Sequence, residues 1–108
     1  MIYSENISLT GKSKIIHKFD FLIPKQVTKY KKEALIKAVN SPKTENMKAI
    51  LFSFQDIANT GRTDKGFVIL NDSKKISDKI YEACENYNIV PLLWSQIEKD
   101  YEKLGIAA

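Results

Sequence analysis

GFVILNDSKKISDKIYEACENYNIVPLLW, residues 66–94, decides the fold class. Gly66-Phe67-Val68-Ile69-Leu70 is a continuous apolar run, as in a strand covered on both faces. Asp72-Ser73 then predicts a helix start, with Ile76, Ile80, Ala83, Cys84 and Tyr87 along one stripe. Ile89–Trp94 reads as a second apolar strand. Pro91 inside it predicts a place near a sheet edge, because proline has no N–H for the ladder. Strand, helix and strand in that order require parallel pairing through a right-handed crossover.

The flanks extend this unit. Upstream, Ser41-Pro42 reads as a cap followed by a first-turn proline. Met47, Ile50, Leu51, Phe54 and Ile57 follow at helical spacing, and Gly61 closes the helix. Downstream, Ser95-Gln96-Ile97-Glu98 has the form of a capping box, opening a helix with Ile97, Tyr101 and Leu104 inward. At the N-terminus, Ile2–Leu9 and Ile15–Ile23 flank Thr10-Gly11-Lys12-Ser13, a β-hairpin with glycine in its turn. Alternation places Ile15, His17, Phe19, Phe21 and Ile23 on one face of the second strand, and Lys14, Ile16, Lys18, Asp20 and Leu22 on the other. Between hairpin and helix, Lys25–Asn40 has helical propensity, yet Ala34–Val39 reads equally as a short strand. The expectation is an α/β domain over residues 1–108. It has a mixed sheet, with an N-terminal β-hairpin followed by β-α-β-α-β-α.

At 108 residues the chain is long enough for one core, and 44% hydrophobic with 28% charged residues excludes a disordered chain. No apolar run approaches the roughly 18–20 residues of a membrane span, and the start lacks the pattern of a signal peptide. Cys84 has no second thiol for a disulfide or a metal pair, which fits a cytoplasmic protein. The net charge of +4 is uneven. Residues 1–32 carry seven lysines (Lys12, Lys14, Lys18, Lys25, Lys29, Lys31 and Lys32) against Glu5 and Asp20. The remainder is close to neutral. Such a cluster suits a nucleic acid backbone or an acidic protein partner, and it suits plain solubility as well. With Arg62 as its one arginine, the chain is poor in the forked donor that reads guanine, which argues against sequence-specific readout.

The element order, with Asp20 inside the second hairpin strand, resembles the restriction-endonuclease-like fold, and residues 37–101 resemble its Mrr-type branch. The chain is also similar to uncharacterised bacterial and prophage domains. The resemblance runs through Leu9-Thr10-Gly11-Lys12-Ser13, His17-Lys18-Phe19-Asp20-Phe21, Leu35-Ile36-Lys37-Ala38-Val39-Asn40, Leu51-Phe52-Ser53-Phe54-Gln55-Asp56 and Tyr87-Asn88-Ile89-Val90-Pro91-Leu92-Leu93-Trp94. The fold's nuclease chemistry needs two carboxylates on Mg²⁺ and a lysine beside the attacking water. The resemblance puts Asp20 at the first acid and Lys37 at the lysine, but Leu35 stands where the second acid should be. Glu45, on the following helix, is the candidate substitute.

Two functions follow as expectations. In the first, a catalytically incomplete nuclease-like module binds nucleic acid backbone or an acidic protein through Lys12, Lys14, Lys18, Lys25 and Lys29. No cofactor is required, and a role in phage–host conflict, such as inhibiting a host defence nuclease, would fit. In the second, a Mg²⁺-dependent DNA nuclease uses Asp20, Lys37 and Glu45, with Asp20 and Glu45 on the metal. An N-terminal partner domain and a homodimer both stay open. The plainer readings are an exposed Asp20 paired with Lys18 or Lys37, a solvated Lys37, a hydrogen-bonded core or interface His17, and a buried, inert Cys84. Phe52, Phe54, Phe67, Tyr81 and Tyr87 fall on predicted core faces, and Trp94 and Tyr101 read as core caps, with partial exposure the alternative.

Overall fold

The structure is a computed structural model and describes residues 3–29 and 31–97. Its elements are β1 (Ser4–Thr10), β2 (Ile16–Ile23), β3 (Ala34–Val39), α1 (Thr44–Ala58), β4 (Lys65–Leu70), α2 (Asp78–Asn86) and β5 (Ile89–Leu93). Single 3-10 turns lie at Lys25–Val27 and Trp94–Gln96. The five strands form one mixed sheet in the order β1-β2-β3-β4-β5. The pairs β1–β2 and β2–β3 are antiparallel, while β3–β4 and β4–β5 are parallel. The open segment Lys25–Asn40 therefore resolves into a turn and a strand. Ala34, Leu35 and Ile36 are all buried there, and a central strand rewards that more than helical propensity does.

Both helices cover one face of the sheet. Their layer joins Phe19, Leu35, Val39, Val68 and Leu70 to Met47, Leu51, Phe54 and Ile57 of α1 and to Ile80 and Cys84 of α2. The opposite face carries Ile23, Ala34, Ile36, Phe67, Ile69 and Leu92, with Val27 and Ile97 packed against them. Pro91 sits in the edge strand β5, as expected. Among the described residues no helix is long and apolar enough to cross a membrane.

Local readings are corrected at five places. The helix expected from Asp72-Ser73 begins at Asp78, because the Asp72 carboxylate is taken by Ser95. Ser77 serves as the cap instead, its hydroxyl accepting from the Lys79 N–H. The same bond leaves the Ser95 hydroxyl donating to Asp72 rather than capping a helix of its own. The rest of that final helix, with Tyr101 and Leu104, lies outside the described residues. Helix α1 starts at Thr44 with Lys43 before it, not at Ser41-Pro42. Phe52 and Tyr87 are 45% exposed, and Trp94 is 63% exposed, so none of the three is a core residue.

The fifth correction shapes the site. The faces of β2 do not alternate uninterrupted. Phe19 belongs to the helix-side layer, whereas Phe21 and Ile23 belong to the opposite layer and Leu22 packs on the helix side. The shift falls at Asp20, facing Asn6, which lies in the left-handed region at φ 52° between the pairs Glu5–Phe21 and Ile7–Phe19. There the hairpin bends away from β3 and folds over α1. Phe19 meets Phe54 edge-on at 5.1 Å, and His17 meets Phe52 at 5.6 Å.

Candidate functional site

Where the hairpin bends away, β2 and β3 separate. Their registered pairs end at Phe21–Ile36, and two side chains bridge the gap beyond. The Asp20 carboxylate accepts the Ala38 N–H at 2.7 Å, and the Lys37 ammonium donates to the Lys18 carbonyl at 2.7 Å. Each replaces a ladder bond lost to the bend, since a strand's N–H and C=O groups need partners. Between them opens a cleft of about 450 Å³ lined by Asn6, Ser8, Lys18, Phe19, Asp20 and Lys37. The structure thus brings Asp20 and Lys37 to one place. It does not bring Glu45 there. Glu45 is exposed in the first turn of α1 and does not line the cleft. Leu35 is 1% exposed, sealed in the core under α1.

These donors do not fit a divalent cation. Mg²⁺ takes near-octahedral oxygen ligation, with protein carboxylates as its anchors. Among the described residues the cleft holds one carboxylate, Asp20, and it is already hydrogen-bonded to a main-chain amide. Among the described residues no group of three or more His, Cys, Asp or Glu side chains gathers to hold a metal.

A second constellation was not assembled by sequence reasoning. Asp56 on α1 is 3% exposed and meets the tip of the folded-over hairpin. Its Oδ1 accepts the Ser13 N–H at 2.9 Å; its Oδ2 accepts the Ser13 hydroxyl at 2.6 Å and His17 Nε2 at 2.7 Å. The Asp56 carbonyl accepts the Lys12 N–H at 3.0 Å. Gly11 completes the fit, for a Cβ there would lie 1.9 Å from Asp56 Oδ2. Glycine is thus required by close approach, whatever the turn geometry. The Ser13 hydroxyl hydrogen bond, with His17 and the Ser13 amide adding to it, holds the Asp56 carboxyl below the usual carboxylate range against the opposing effect of burial.

The chemistry of this cluster follows from its order. A serine nucleophile needs the imidazole between hydroxyl and carboxylate, so that the ring nitrogen can take the serine proton. In this protein the carboxylate stands between Ser13 and His17 and binds both through one oxygen. An ionised carboxylate only accepts, so Nε2 directs its proton at Asp56. The arrangement is a clasp fastening hairpin to helix. His17 is the buried, hydrogen-bonded histidine that its apolar neighbours suggested. The signals for the clasp were present in the sequence: Gly11 and Ser13 in one turn, a histidine on an apolar face, and an acid between Phe54 and Ile57. Nothing in the linear spacing joined them.

The lysines divide. Lys12 and Lys14 lie on the clasped turn over α1, and Lys18 at the cleft, all three exposed. Lys25 and Lys29 are also exposed but flank Val27, which packs against the sheet's other face. Arg62 is engaged by Asp64 at 2.6 Å and by Glu33 at 2.9 Å, chiefly the Asp64 hydrogen bond raising its pKa.

Comparisons with known proteins give a family and one likeness of fold, and neither carries an activity. A protein-family model described as "Domain of unknown function DUF1829" matches residues 11–97. The chain is similar to a solved structure titled "Crystal Structure of Protein of Unknown Function AF1548". The TM-score is 0.63 and the identity 18%, over 91% of this chain and 52% of that one. The chain therefore spans about half the length of that protein, and the likeness is one of fold. No curated protein sequence matches.

Proposed function

The chain belongs to the family described as "Domain of unknown function DUF1829", and from that premise we propose a nuclease-like module that has lost its catalytic set and acts by binding nucleic acid backbone. The observation carrying this reading is the fate of the three nuclease positions. Leu35 is buried at the second acid, while Asp20 and Lys37 are spent on bridging β2 and β3. The restriction-endonuclease-like assignment is supported by the strand order and by the strand of Asp20 bordering that of Lys37. Binding would fall to Lys12, Lys14 and Lys18, exposed on the turn and the second strand of the hairpin. A place in phage–host conflict fits a domain of this kind.

The test is a duplex-binding titration. With about three to five phosphates engaged, raising salt from roughly 50 to 200 mM should weaken binding on the order of 40- to 500-fold, because each contact releases counterions. Reversing Lys12, Lys14 and Lys18 to glutamate should abolish it, while reversing Lys25 and Lys29 should leave most of it. Unchanged binding in the triple variant would assign those lysines to solubility. Mg²⁺- or Mn²⁺-dependent cleavage lost in both Asp20→Ala and Glu45→Ala would instead establish the nuclease with a displaced acid.

A further inference from the structure

The three parallel strands end together at one edge of the molecule, and the loops that follow them are tied to one another. After β3, Asn40 receives the Asn71 side-chain amide on its carbonyl at 3.1 Å and on its Oδ1 at 3.2 Å. After β4, Asn71 donates its N–H to Val39 at 3.0 Å and accepts the Ser73 N–H at 3.1 Å. Asp72 holds the loop after β5 by accepting both the N–H, at 3.0 Å, and the hydroxyl of Ser95. Trp94, next to that anchor, is 63% exposed at the rim of a cleft of about 330 Å³ lined by Ala38, Val39, Asn40, Ile69, Asn71 and Trp94. The residue least suited to water thus stands on a fixed backbone beside an apolar floor and two carboxamides.

We infer that this cleft is a binding site for an unpaired nucleobase bearing a phosphate, with Trp94 as its stacking surface. Open α/β sheets bind ligands outside the carboxyl ends of their parallel strands, where this cleft lies. An exposed indole gives a base a sequence-tolerant stacking partner. The carboxamides supply the polar edge. Asn40 Nδ2 has no acceptor among the described residues, and Asn71 Oδ1 keeps a lone pair beyond the one given to Ser73. Lys43 and the neighbours Lys74 and Lys75 are exposed on the loops at this same edge, placed for a phosphate. The volume admits a base with its sugar and is too small for a duplex. The site is separate from the hairpin lysines and does not depend on them.

Trp94 is the one tryptophan of the chain, so its emission reports on the site directly. The full chain is titrated with adenosine 5′-monophosphate, inorganic phosphate, an oligothymidylate and a blunt duplex. Saturable quenching is expected with the mononucleotide and the single strand, not with phosphate or duplex. Quenching by the mononucleotide alone assigns the site to free nucleotides. Quenching by both assigns it to single strands as well. Asn40→Ala, which keeps the fluorophore, should weaken the mononucleotide several-fold. Trp94→Ala, followed by anisotropy of a labelled oligothymidylate, should lose on the order of 10- to 100-fold. The Lys12, Lys14 and Lys18 reversal should leave mononucleotide quenching unchanged. Emission that ignores both nucleotides while duplex binding persists would overturn this inference and leave the hairpin reading standing. Emission that shifts only with protein concentration would overturn it too, giving Trp94 to a contact between copies.

Discussion

Asp20 and Asp56 are both aspartates that bind a main-chain amide, and they do different work. Asp20 is half-buried at the seam between β2 and β3, where it replaces one ladder bond. Asp56 is buried under the hairpin tip, where it satisfies an amide, a hydroxyl and an imidazole together. Water can substitute at the first site, whereas at the second the carboxylate and the imidazole are both buried. The contrast teaches that the acid marked by a family pattern need not be the acid on which the fold depends.

The comparison breaks most visibly at the clasp. Asp56→Ala strips three donors of their acceptor, and one of them, the His17 ring N–H, is buried. It should lower Tm by on the order of 10 °C in calorimetry. An Asp56→Ala protein melting like the parent would remove the clasp from the list of stabilising features. Gly11→Val comes next. Its side chain must displace Asp56, and urea unfolding should show a loss of about 1–3 kcal/mol. Asp20→Asn should change stability by about 1 kcal/mol or less, since one exposed hydrogen bond is altered and water reaches the amide. A loss at Asp20 as large as at Asp56 would invert the assignment and make the seam the principal support.

Acid sharpens the same contrast. The folded-state pKa of Asp56 is depressed, so its contribution is present above the ordinary carboxylate value near 3.9 and disappears as pH falls through the lower folded value. Urea midpoints measured downward from about pH 5 should therefore fall more steeply for the parent than for Asp56→Asn. Parallel curves would show that the carboxylate's charge is irrelevant to the clasp. The smallest effect is expected at Cys84, buried at 0% exposure with its thiol pKa raised by burial. A thiol reagent should leave it unmodified in the folded parent and label it in Asp56→Ala only as that variant unfolds.

The sequence alone determined the α/β class, the hairpin, the helix through Met47–Ile57, the buried strand at Phe67–Leu70 and the edge place of Pro91. All of these rest on local periodicity or on a missing N–H, which act over a few residues. It also marked Asp20, Lys37 and Leu35 as positions to compare, and a solitary histidine among apolar neighbours. Tertiary structure decided the rest. Whether Ala34–Val39 was strand or helix depended on β4 lying beside it. Asp72 left its expected cap because Ser95, 23 residues away, offered two donors. Asp56 found Ser13 at a separation of 43 residues only because β2 shifts its faces at Asp20 and bends the hairpin over α1. Hydrogen-bond partners at such separations are chosen by which surfaces the chain closes on, and local spacing carries no record of that choice.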